Sequence, residues 1–312
     1  MAFDPSTQIA GLVAMIASIV LATVVLANIF AVQSANVPNF SLSYPDGSRV
    51  QVLMIEPTGG IIRIISSPPN APSSFLHYTL EVPQPPLPEG AGFSVGETAE
   101  AFILSSQASV VSVNKTVATA SVARQGSLNP LSVELQPVTQ EDQLQCGNGH
   151  GGPIESGCIR SWRSLQPDEK IFGFGVQFTE VDHTGTTKFI RTNAGPDSDG
   201  LTHNPAPFFV SSLNYGVAIN AHAYTYFDIG YAFPALNGKD STSSGSRWSD
   251  SHLPAAADSA RASGRGLHLM HTADPVMDLY FFTGLTPAAI LAQYTQIYGR
   301  TTLPPLWALG QW

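Results

Sequence analysis

Charge is scarce in this chain. Of 312 residues only 12% are charged, and 14 basic side chains face 23 acidic ones, a formal charge of -9. No run of lysine or arginine occurs anywhere. A nucleic-acid surface needs clustered cations to displace counterions, so that class is excluded, and the same shortage removes an electrostatic grip on anionic lipid. Cysteine is nearly absent too, with two residues, Cys146 and Cys158. Two thiols and the lone His150 lack a paired-ligand spacing, so a zinc site is disfavoured and no metal or other cofactor is expected. What the chain does have is 43% hydrophobic residues, 27 glycines and 24 prolines. That content excludes disorder, and glycine and proline spread between short apolar runs read as many turns between many strands.

One long apolar run is present. Ile9 to Val32 carries no charge, and about 20 apolar residues suffice to span a bilayer as a helix. Asp4, Pro5 and Ser6 offer it an acidic start with N-cap candidates. Three readings stand side by side. A secretory signal peptide would be cleaved after Val32-Gln33-Ser34, although no Lys or Arg precedes the run and the run exceeds the usual length. An uncleaved membrane anchor would use the stripe Ala10, Ala14, Ser18 and Ala22, which lets two helices approach closely and self-associate. A hydrophobic helix in a filament core is the third. The first two place the remainder in a secretory or extracytoplasmic compartment, where Cys146 and Cys158 would close a disulfide around a glycine-rich loop, at a gain of about 3 kcal/mol. Asn39-Phe40-Ser41 and Asn114-Lys115-Thr116 are glycosylation sequons.

After Ala35 the pattern is period two. Arg49 to Ile55, Ile61 to Ile65, Val117 to Val122, Leu131 to Leu135, Tyr215 to Asn220 and Val276 to Phe282 read as strands, and their spacing predicts a mainly β, antiparallel sandwich. Gly238 to Gly266 reads as a long surface loop. One helix is predicted near the end, with Thr286 as N-cap and Pro287 at its first position. Ile290, Leu291, Tyr294, Ile297 and Tyr298 would form its apolar face, and Gly299 would close it in a left-handed conformation. Leu306 to Trp312 then reads as a buried strand. With no partner following, it suggests a domain interrupted at its boundary with the next.

The last forty residues resemble a junction found in glycoside hydrolase family 31. The blocks are Asp278-Leu279-Tyr280-Phe281-Phe282-Thr283-Gly284, the Thr286-Pro287 helix with Gln293-Tyr294, Gly299-Arg300, and Leu303-Pro304-Pro305-Leu306-Trp307-Ala308-Leu309-Gly310. Upstream, Glu169-Lys170-Ile171-Phe172-Gly173-Phe174-Gly175 resembles the family's glycine turn, with Val176 where a glutamate is usual. Pro207-Phe208-Phe209-Val210-Ser211-Ser212 and Tyr215-Gly216-Val217-Ala218-Ile219-Asn220 resemble its central strands.

The resemblance implies an N-terminal, galactose mutarotase-like β-sandwich over 36–285, after the hydrophobic segment at 1–35. A linker helix and the first strand of a catalytic (β/α)8 barrel would occupy 286–312. In that family the barrel supplies both catalytic aspartates, so no catalytic residue is expected here. The sandwich would buttress the barrel and send a loop to the sugar pocket, which makes carbohydrate the expected partner of the full-length enzyme. The position matching the loop's sugar-binding acid is Asn193, with Asp197 and Asp199 nearby; these are also ordinary turn residues. A stand-alone carbohydrate-binding or structural module, assembled through the N-terminal helix, is the alternative.

Other motifs carry less. Gly173-Phe174-Gly175 is not followed by a helix, which disfavours phosphate binding. His268 and His271 alternate to opposite faces of a strand, and His183, His203 and His222 read as isolated surface or core residues. Trp307 and Trp312 are expected to pack at the sandwich–barrel junction.

Overall fold

A computed structural model describes residues 37–69, 86–126, 133–135, 139–141, 158–166, 168–176, 181–190, 203–220, 225–229, 266–272, 276–300 and 302–309, all within the unit Asn36–Trp312. Ile9 to Val32 and most of Gly238 to Gly266 lie outside them. Among the described residues no helix is long and apolar enough to cross a membrane.

The first strands are β1 (Asn39–Ser43), β2 (Arg49–Met54), β3 (Ile61–Ser67), β4 (Ser94–Glu97), β5 (Ala101–Ser105) and β6 (Ser109–Asn114). Next come β7 (Ala120–Arg124), β8 (Val133–Leu135), β9 (Thr139–Glu141), β10 (Cys158–Ser164), β11 (Ile171–Val176) and β12 (Thr186–Ile190). The last are β13 (His203–Ser211), β14 (Tyr215–Ile219), β15 (Thr225–Ile229), β16 (Gly266–Thr272) and β17 (Met277–Phe282), followed by the helix α1 (Pro287–Tyr298). A seven-stranded sheet has the order β1-β2-β3-β17-β14-β13-β11, and two five-stranded sheets run β12-β15-β16-β10-β9 and β4-β5-β6-β7-β8. Every pairing among the described residues is antiparallel.

Alternation decides which side chains meet. In β2 Val50, Val52 and Met54 are buried while their neighbours are not, and β6 buries Ser109, Val111 and Val113 in the same way. These inward rows pack with Phe174, Phe209, Phe227, Leu279 and Phe281 into one core shared by all three sheets. The architecture is the antiparallel β-sandwich that the strand spacing predicts.

β17 breaks the alternation, since all six of its residues are buried. Met277, Leu279 and Phe281 face the sandwich core, whereas Tyr280 and Phe282 face a second cluster with Ile61, Phe208, Ile290 and Ile297. α1 covers that second face. The Thr286 side chain accepts a hydrogen bond from the Ala289 N–H at 3.2 Å, as expected of the N-cap.

Four local expectations change. Leu291 is 52% exposed and lies off the buried face of α1, because Ile290 and Ile297 already fill the contact with the sheet. Gly299 ends the helix at φ 95°, ψ 159°, in extended mirror-image backbone rather than the left-handed helical region. β7 begins at Ala120, not Val117, because Asn114 and Thr116 fold the intervening residues into a turn. Finally, Leu306–Leu309 is a turn of 3-10 helix, not a buried strand. Leu306 is 87% exposed and Trp307 77%, since no strand among the described residues pairs with this segment.

Candidate functional site

The chain leaves the sandwich through Thr283-Gly284 on its way from β17 to α1, and this exit is tied from two directions. The Thr283 N–H and hydroxyl both donate to the Gly60 carbonyl, at 2.9 and 3.1 Å. The turn carrying Gly60 is itself held by Glu56, whose carboxylate accepts from the Gly60 N–H at 2.5 Å and from the Thr58 hydroxyl. Arg124, at the end of β7, donates to the carbonyls of Asn214 and Gly284 at 2.5 and 2.8 Å.

α1 then lies flat on the seven-stranded sheet. A Cβ at Gly216 would come within 2.6 Å of Ile290 Cγ2, so only glycine lets the helix approach this closely. Phe208 stacks on Tyr294 with ring centroids 3.9 Å apart, and Phe282 meets Phe208 edge-on at 5.8 Å. Burial, followed by the neighbouring tyrosines, pushes the Tyr298 hydroxyl well above its ordinary pKa, so it stays protonated.

The glycine turn has its own geometry. Gly173, Phe174 and Gly175 all have positive φ, at 131°, 69° and 95°. A Cβ on Gly175 would sit 2.2 Å from the Asn204 carbonyl oxygen, and one on Gly173 would sit 2.7 Å from that of Phe208. These contacts coincide with register shifts between β11 and β13. The bend turns Phe174 inward against Phe227 and His183, with centroids 4.8 and 5.6 Å away. Just before it, the buried Glu169 carboxylate accepts hydrogen bonds from the hydroxyls of Ser211, at 2.6 Å, and Tyr215.

β12 ends at Ile190 in one sheet and β13 begins at His203 in another, so the stems of the loop predicted to reach a sugar lie in different sheets. Asn193, Asp197 and Asp199 fall between them and lie outside the described residues; Cys146, His150, His222 and Trp312, elsewhere in the chain, lie outside them too. Cys158 opens β10, opposite Glu141 and Thr272. Asn39 is exposed on β1, where its side-chain oxygen accepts from Gln51 at 3.2 Å. Asn114 ends β6, and its side-chain oxygen accepts from Thr116 and Val117 in an Asx turn.

His183 is a core residue at 3% exposure, while His268 and His271 lie on β16 opposite Trp162 and Ile159. Among the described residues no group of three His, Cys, Asp or Glu side chains is placed to hold a metal. Sequence reading missed Arg63, Arg124 and Glu56, because each acts on a partner that only folding brings near.

A family model, the glycosyl hydrolase 31 N-terminal galactose mutarotase-like domain, matches residues 49–228, more than half of the chain. The chain belongs to this family. Among curated proteins, the α-xylosidase XylQ of Lactiplantibacillus pentosus is 27% identical over 154 residues, covering 49% of this chain and 16% of that enzyme. Among solved structures, the GH31 α-xylosidase of Xanthomonas citri matches 89% of this chain and 41% of its own, at a TM-score of 0.61 and 14% identity. The GH31 dextranase of Flavobacterium johnsoniae matches 89% of this chain and 30% of its own, at 0.59 and 17%. At such identities the structural likeness is one of fold. The GH31 domain described here thus spans less than half the length of the relatives it matches.

Proposed function

We propose that this galactose mutarotase-like domain is the N-terminal, non-catalytic part of a longer α-glycoside hydrolase, in which it supports the barrel and helps shape the sugar pocket. The exit from the sandwich carries this reading. Thr283-Gly284 is clamped by Gly60 and Arg124, α1 is seated on the sheet, and the chain then presents Leu303, Leu306 and Trp307 at 93%, 87% and 77% exposure. A clamped linker followed by an apolar segment suits a domain that holds its neighbour in one orientation. The loop between β12 and β13, with Asn193 and Asp197, would lean over the sugar, and carbohydrate would be met through the full-length enzyme.

The purified 312-residue chain is expected to hydrolyse no p-nitrophenyl α-glucoside or α-xyloside. Turnover by a clean preparation would overturn the reading.

The same exposed Leu303, Leu306 and Trp307 favour a second reading, a stand-alone module that covers them by association, with self-association through the N-terminal helix. Sedimentation of the chain without residues 1–34 tests the covering of this segment, because a strictly monomeric species counts against association through Leu303, Leu306 and Trp307. Export from the cytoplasm belongs to both readings. Ile9 to Val32 would act as signal or anchor, Cys146 and Cys158 would be joined, and glycans would sit at Asn39 and Asn114. Intact-mass measurement of protein from a secretory host, with and without reduction and deglycosylation, tests each.

A further inference from the structure

Asp46-Gly47 is the one Asp-Gly or Asn-Gly pair among the described residues. Such a pair carries its own chemistry. The amide nitrogen of the glycine can attack the aspartate carboxyl carbon and close a succinimide ring, expelling one water. Water then reopens the ring at either carbonyl. Attack at the side-chain carbonyl restores aspartate. Attack at the main-chain carbonyl breaks its bond to the glycine nitrogen and leaves the chain running through the side-chain carbon, as isoaspartate. The water lost is regained, so no co-reactant is needed. Glycine favours ring closure, because no Cβ shields its nitrogen and its backbone turns freely.

The fold sets this pair in the loop between β1 and β2. The Tyr44 N–H donates to the Ser48 carbonyl at 2.9 Å, the Gly47 N–H donates to the Tyr44 carbonyl at 2.9 Å, and Gly47 has a φ of 88°. This is a hairpin loop closed by a left-handed glycine, and Pro45, Asp46 and Gly47 are all exposed to water. Two contacts oppose ring closure. The attacking nitrogen is engaged with Tyr44. The Asp46 carboxylate is clasped by Ser48, whose hydroxyl and N–H donate to one of its oxygens at 2.6 and 2.9 Å. Those two bonds hold the Asp46 carboxyl below its usual range, and the ionised form is the poorer electrophile because it has no hydroxyl to release as water.

The hairpin is also placed to open. β1 is an edge strand of the seven-stranded sheet, pairs only with β2 among the described residues, and alternates between exposed and half-buried positions. Edge segments of this kind open at lower free energy than central strands. Separating Tyr44 from Ser48 would free the Gly47 nitrogen and the Asp46 carboxyl group together. Isoaspartate would then add a carbon to the main chain of a loop whose length fixes the register of β1 on β2.

We propose that Asp46-Gly47 is a site of spontaneous conversion to isoaspartate, held in check by the Ser48 clasp and released when the β1–β2 hairpin opens. The site is independent of the proposed barrel-supporting role.

Site-resolved peptide mapping of the 312-residue chain tests it. The protein is aged at neutral pH, folded or in urea, and isoaspartate at position 46 is read by electron-transfer fragmentation, which cleaves the Cα–Cβ bond that isomerisation places in the main chain. In the parent, conversion is expected to be about tenfold or more slower in the folded state than in urea. Ser48→Ala, checked for cooperative urea unfolding, is expected to convert about tenfold faster than the folded parent. Ser48→Thr keeps the hydroxyl and is expected to match the parent, and all three should convert at one rate in urea. Three outcomes each overturn the proposal: a parent that converts as fast folded as in urea, a folded Ser48→Ala that ages like the parent, or a folded Ser48→Thr that ages like Ser48→Ala.

Discussion

Arg63 on β3 grips Asp278 on β17 from two residues out of register, with its Nε 2.8 Å and its Nη2 2.5 Å from the two carboxylate oxygens. The carboxylate is 1% exposed and also accepts the Asn220 side-chain amide at 2.8 Å, while the guanidinium lies over the Tyr280 ring at 5.3 Å. Asp278 therefore ties β3 and β17 to Asn220, the residue that follows β14. A bidentate, charge-assisted pair of this kind is geometrically demanding, and leaving either half unpaired in the interior is costly.

Removing that carboxylate has a defined cost. Asp278→Ala is expected to destabilise the domain by about 3–5 kcal/mol, because Arg63 and Asn220 lose their shared partner. Urea denaturation of Asp278→Ala, Arg63→Ala and the double variant checks this. The two losses should be strongly non-additive, and simple additivity would show that the pair is not coupled.

The glycine turn predicts a second outcome. Gly175→Ala combines a φ of 95° with a Cβ 2.2 Å from the Asn204 carbonyl oxygen. A loss of about 2 kcal/mol or more is expected, read as a lowered melting temperature. Val176→Ala, at an exposed position beside it, should change stability by less than about 0.5 kcal/mol.

Packing of α1 is testable at its centre. Ile290 is fully buried against Gly216, so Ile290→Ala should cost about 2–5 kcal/mol. Gly216→Ala should cost about 1–3 kcal/mol by forcing the same contact apart. Hydrogen exchange within 287–298 is expected to accelerate in both, and unchanged protection would argue that the helix is held from elsewhere.

The domain should also weaken in acid. Burial, reinforced by the positive charge of Lys188, pushes His183 down to about 4 from an ordinary value near 6.5. The folded form therefore keeps the ring neutral where the unfolded chain would protonate it. That stability is fully present above about pH 6.5 and is lost as pH falls from there to about 4, on the order of 3 kcal/mol. Stability measured across this window in the parent and in His183→Gln should converge at the acid end. Parallel curves would remove His183 as the cause.

Much of the β architecture is legible locally. Alternation marks β2 and β3, and Thr286-Pro287 marks the start of α1, because such signals depend on neighbours a few residues apart. The Leu306 to Leu309 segment misled for the same reason. An apolar run has the composition of a buried strand, but a strand exists only where an adjacent edge accepts its hydrogen bonds. None is offered among the described residues, so it closes into a 3-10 turn with its apolar side chains outward. Leu291 misled because helical period defines a broad face, while the sheet beneath contacts only part of it.

The sequence by itself determined that this would be a sparsely charged β-sandwich with one capped helix, and it carried enough spaced motifs to point to the glycoside hydrolase 31 domain. Tertiary structure alone decided how that sandwich is fastened. Arg63 meets Asp278 across 215 residues, Arg124 meets Gly284 across 160, and Thr283 meets Gly60 across 223. Side-chain periodicity is a property of a few consecutive residues and can be read along the chain. Ion pairs and clamped linkers are made by segments far apart in sequence, whose meeting follows from sheet order and register.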